Sequence, residues 1–194
     1  MMTHDPTETG PRDARVPLPR PADGLDYQDL WRKATPFADY LQPEMKYHAF
    51  WEGVYRHSTV PDWAVRRGRA LGPLRLLTLA EDWCGDAVNA VPVAARLAEA
   101  MPGSELRVLG RDAHPEVMDR YLTDGTRSIP ILIGLDEAYR PTGHWGPRPR
   151  QLQEWVLANL RAMPKKDLYR ETRRWYARDA GATILDELLT AIGG

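Results

Sequence analysis

The chain has 194 residues, enough for one domain of about 100 to 150 residues carrying added segments. Its formal net charge of -1 excludes the broad positive field expected of a nucleic-acid or anionic-membrane binder. A single cysteine excludes an internal disulfide framework and any Cys-rich zinc or iron-sulfur site within one chain, and it favours a reducing, cytoplasmic setting.

Residues 1–24 hold Pro6, Pro11, Pro17, Pro19 and Pro21 without a secretory-type apolar run, and read as a disordered tail. No stretch approaches the roughly 18 apolar residues of a membrane span. From 25 to 72 the pattern is helical. Tyr27, Leu30, Trp31 and Ala34 share one face, Tyr47, Phe50, Trp51 and Val54 another, and Asp62 to Leu71 adds a short helix before Gly72-Pro73. The aromatic stripes on these faces are expected to be packing surface.

At residue 73 the period changes. Leu74 to Ala80 is short, nearly all apolar and bounded by turn signals, which predicts a buried strand. Asp86 to Met101 is helical, Leu106 to Gly110 is a second strand, and His114 to Leu122 is a short helix introduced by Asp112 and Pro115. Strand, helix, strand implies a parallel pair with a right-handed crossover. Ile131 to Leu135 is a third strand, with an antiparallel fourth around Tyr139 to Trp145. Arg150 to Met163 is a helix, and 164–194 forms one or two more. The arginines 170, 173, 174 and 178 are interleaved with Glu171 and Asp179 and read as a solvated face.

Cys84 stands between the first strand and its helix, in Trp83-Cys84-Gly85-Asp86-Ala87. This segment resembles the active site of the thioredoxin family. Pro92, eight residues beyond the cysteine, matches the proline that kinks the family's active-site helix, and Ser128-Ile129-Pro130 before an apolar strand resembles its cis-proline loop. The resemblance, over about residues 74 to 163, implies an α/β, thioredoxin-like fold, a mixed central sheet flanked by helices, with additional N- and C-terminal helices. It further implies that the core spans 73–163, that Ile129-Pro130 is cis, faces Cys84, and that the backbone of Ile129 pairs with an extended substrate strand.

Two departures from the family bear on chemistry. Ala87 stands where a resolving cysteine would be, and Thr78 replaces the buried aspartate that thioredoxins often carry six residues before the cysteine. Cys84 is therefore the candidate catalytic residue, acting alone. A helix N-terminus favours its thiolate, whereas Glu81, Asp82 and Asp86 oppose a further negative charge. The opposing effects are each on the order of 1 kcal/mol, so sequence does not fix the sign. Trp83, Gly85 and Arg127 complete the expected active-site environment, with Arg127 placed to tip the balance if it lies beside Cys84. Ile129 and Pro130 are the candidate substrate-binding residues.

The five histidines form no ligand-spaced motif, so neither a metal nor a cofactor is expected. The reading that follows is monothiol disulfide exchange with a protein or a low-molecular-weight thiol, resolved by an external thiol. A redox-inert module that binds an extended peptide beside Ile129-Pro130 is the alternative. A homodimer sharing a metal through Cys84 lacks the Cys-Gly-Phe-Ser pattern of monothiol glutaredoxins.

Overall fold

The structure, a computed structural model, describes residues 24–193. The expected disordered tail, 1–24, lies outside these residues but for Gly24. Five strands form one mixed sheet in the order β1-β3-β2-β4-β5. They are β1 (Thr35–Pro36), β2 (Arg75–Ala80), β3 (Glu105–Gly110), β4 (Ile131–Leu135) and β5 (Pro141–Trp145). β2 and β3 pair in parallel across the crossover helix α5 (Gly85–Glu99), while β4 runs antiparallel to β2 and β5 antiparallel to β4.

The helical segment before β2 contains α1 (Tyr27–Lys33), α2 (Phe37–Tyr40), α3 (His48–His57) and α4 (Asp62–Leu71). It also supplies β1, which the helical pattern did not predict. Two residues carry no period, and this strand exists through its antiparallel register with Arg107 and Val108 of β3. Downstream lie α6 (Pro115–Met118), shorter than expected, α7 (Arg150–Asn159), α8 (Lys165–Asp179) and α9 (Ala182–Gly193). The fourth strand starts at Pro141 because Tyr139 sits in a turn at φ 58°.

Strand alternation sorts the two faces of the sheet. Leu77, Arg107 and Ile133 share one face by register, with His144 opposite Ile133. Aromatics cover it: Arg107 stacks over Trp31 of α1, and His144 meets Tyr121 edge-on. The other face carries Leu76, Thr78, Leu132, Gly134, Gly143 and Trp145, and packs under α5 and α9. Gly134 and Gly143 are cross-strand partners. A Cβ on Gly143 would meet the backbone carbonyl of Ala191, and one on Gly134 would meet Ile192. This glycine pair lets the α9 backbone lie directly on the sheet, where Ile184, Leu185, Leu188 and Leu189 are buried. Burying such side chains stabilises the fold by about 2 kcal/mol each.

Candidate functional site

The site forms where β2 ends. Cys84 is the N-cap of α5, with φ -82° and ψ 115°, after a turn closed by its amide donating to the Glu81 carbonyl at 3.0 Å. Pro92 sits inside α5, buried against the core. Ile129-Pro130 is a cis peptide. It brings the Ile129 carbonyl to face the thiol, which donates to it at 3.4 Å. Cys84 and Ile129, the expected nucleophile and the expected substrate-pairing residue, are thus in direct contact.

Cys84 is only 8% exposed. Burial, first, and then the Asp86 charge push its thiol up, while the Ala87 and Asp86 amides and the Arg148 guanidinium pull the other way and lose. The balance that the residues left open is therefore decided by desolvation. Ala87 is fully buried, so its methyl group fills the place of a resolving group.

The rim is held by defined contacts. Glu81 accepts the Asp112 amide at 2.9 Å. Asp82 accepts the Lys46 amide at 2.8 Å with its carboxylate, and its carbonyl accepts the Trp51 indole N–H at 2.9 Å. Glu81 thereby fixes the 81–84 turn to the loop after β3, and Asp82 fixes it to the segment that enters α3 and to α3 itself. Trp83 is 39% exposed beside the thiol, with the Arg111 guanidinium 5.0 Å over its ring. Arg111 also donates to the Arg127 carbonyl at 3.2 Å and so ties the Trp83 turn to the cis-proline loop. A Cβ on Gly85 would meet open space, so no close packing requires glycine here.

Arg127 does not supply the cation near Cys84. Its guanidinium makes a two-pronged pair with Asp119, at 2.7 and 2.8 Å, in an exposed position. Arg148 has that role, a residue the sequence reading missed. It lies after the cis peptide Gly146-Pro147, donates to Asp86 at 2.6 Å and to Gln153 at 2.7 Å, and Tyr176 of α8 donates to the same Asp86 carboxylate at 3.0 Å. Burial pushes the Asp86 carboxyl up, and Arg148 and Tyr176 counter it. Burial, then the Asp86 charge, push the Tyr176 phenol far up. Gly146-Pro147-Arg148-Pro149 was the available sequence signal for an ordered loop; nothing near Tyr176 marked it.

The position of the missing aspartate is occupied by Thr78, fully buried, whose hydroxyl has no hydrogen-bond partner among the described residues. No group of three or more His, Cys, Asp or Glu side chains among the described residues is arranged to hold a metal. Among the same residues no helix is long and apolar enough to cross a membrane.

A family model described as thioredoxin matches residues 34–167. Among solved structures, the chain is similar to a protein of unknown function, PA1234, from Pseudomonas aeruginosa, with a TM-score of 0.66 and 19% identity over 88% of this chain and 98% of that one. It is also similar to an HIV epitope-scaffold, with a TM-score of 0.63 and 18% identity over 88% of this chain and 99% of that one. No curated protein matches. At these identities the structural likenesses bear on the fold alone.

Proposed function

Because the chain belongs to the thioredoxin family, we propose that it carries out monothiol disulfide exchange through Cys84 on a protein or low-molecular-weight disulfide in a reducing, cytoplasmic setting. The observation that carries this reading is the 3.4 Å contact between Cys84 Sγ and the carbonyl of Ile129, which puts the sulfur beside the backbone where the family lays an extended substrate. The Cys84 thiolate attacks one sulfur of the disulfide. A new S–S bond to Cys84 forms as the old one breaks, and the other sulfur leaves as a thiolate. With Ala87 in the resolving position, a second thiol from outside attacks the mixed disulfide, takes the first partner into its own disulfide and returns Cys84 as thiolate.

The test is intact mass after incubation with oxidised glutathione. Addition of one glutathionyl group, reversed by dithiothreitol and absent in Cys84→Ser, is the expected result. No adduct at any pH up to 10, in folded protein, overturns the reading.

One observation favours the alternative, a redox-inert module that holds a peptide beside Ile129-Pro130: the thiol is nearly buried and pushed up. Under that reading Cys84→Ser leaves partner binding unchanged.

A further inference from the structure

Four groups that ionise or carry charge converge on Cys84 from different elements: Asp86 on α5, Arg148 on the loop between β5 and α7, Tyr176 on α8 and Tyr40 on α2. Of these, Asp86 is the nearest in the chain and the most tightly held. An acid in the first turn of a helix ordinarily serves the unpaired amides there. Here the carboxylate is instead clamped by the Arg148 guanidinium at 2.6 Å and the Tyr176 hydroxyl at 3.0 Å, two donors that favour its ionised form against burial. Its side chain is only 13% exposed, so its charge is poorly screened.

The first-turn amides of Asp86 and Ala87 meanwhile favour a thiolate on Cys84, and Arg148 adds a positive charge. A cradle for a thiolate is thus already assembled, with one opposing charge built into it. We propose that Asp86 restrains Cys84: clamped by Arg148 and Tyr176, its carboxylate adds to burial in holding the sulfur back, and neutralising or displacing that carboxylate makes the nucleophile more available at a helix start that already favours it. Asp86 is then a positioning residue that acts on the reacting atom through its charge, and the clamp slows thiol exchange until a partner opens it. This rests on the exchange reading for its purpose, though not for its test.

The restraint is measured on the full-length protein by the rate of Cys84 alkylation with iodoacetamide against pH, read by intact mass. Asp86→Asn should move the midpoint down and raise the rate at pH 7 by about threefold to tenfold, since half to one pH unit corresponds to that factor. Arg148→Gln, which removes the cation and leaves the carboxylate, should not accelerate the reaction. The two halves of one ion pair then act differently, which loosened packing would not produce.

An Asp86→Asn rate at or below that of the wild type overturns the proposal. So does equal acceleration by Arg148→Gln, the signature of a sulfur exposed by disorder. If Asp86→Asn fails to fold, the double variant D86N/R148Q retains an amide pair in place of the ion pair. Its midpoint should still lie below that of the wild type, and a midpoint at or above it overturns the proposal. Acceleration by Asp86→Asn without any glutathione adduct would sink the exchange reading alone; an adduct without acceleration would sink the restraint alone.

Discussion

Cys84 donates its thiol hydrogen to the backbone carbonyl of Ile129, so the sulfur in this resting state is engaged with its own chain. The contact serves two purposes. It satisfies a buried donor, and under the proposed exchange reaction it marks the place where an arriving disulfide would compete. Because the thiol is pushed up, chiefly by burial, the folded chain holds its proton to higher pH than the unfolded chain does.

A linkage effect follows from that proton. The contribution of Cys84 to stability is fully present below the unfolded thiol value of about 8.5 and is lost as pH rises through the folded value. Denaturant unfolding of wild type and Cys84→Ala should therefore show a stability difference that is constant up to about pH 8 and turns against the wild type above it. A difference independent of pH up to 10 would contradict the burial argument.

Trp51 is fully buried and its indole donates to the Asp82 carbonyl, linking α3 to the turn that carries Cys84. Trp51→Phe removes the donor and leaves that carbonyl unsatisfied, at a cost of about 2 kcal/mol. Alkylation of Cys84 in native conditions should also become faster, because the 81–84 turn loses an anchor. Loss of stability with unchanged alkylation would confine the role of Trp51 to packing.

Gly143 has no room for a side chain. Its Cβ would meet the Ala191 carbonyl, which belongs to helix backbone and cannot swing aside. Gly143→Ala should cost at least about 2 kcal/mol by forcing α9 off the sheet. A thermal melt checks this, and Gly85→Ala, whose Cβ meets open space, is the matched control that should change far less.

Asp136 organises the turn between β4 and β5, accepting the Ala138 and Arg140 amides at 2.8 and 2.9 Å and the Arg140 guanidinium at 2.6 Å. Burial opposes its charge, yet these partners outweigh it and hold the carboxyl below its ordinary value. The stabilisation is present above the unfolded value of about 3.9 and is lost as pH falls through the folded value. Asp136→Asn should cost about 1 to 2 kcal/mol at pH 7, and the difference should shrink toward pH 3.

The residues themselves were enough for whatever depends on local pattern. Apolar runs and 3.6-residue spacing located β2, α5, β3, β4 and α4 within a residue or two, because burying one face of an element imposes its period on the sequence. Trp83-Cys84-Gly85, Pro92 and Ile129-Pro130 carried the thioredoxin resemblance and the meeting of Cys84 with Ile129. The rest depends on chain segments far apart. β1 is two residues whose strand character comes from β3, and Arg148 and Tyr176 reach Asp86 from separations of 62 and 90 residues. The protonation of Cys84 belongs to this second kind, since the charges were legible in the sequence but burial, the largest influence on that sulfur, is a property of the packed chain.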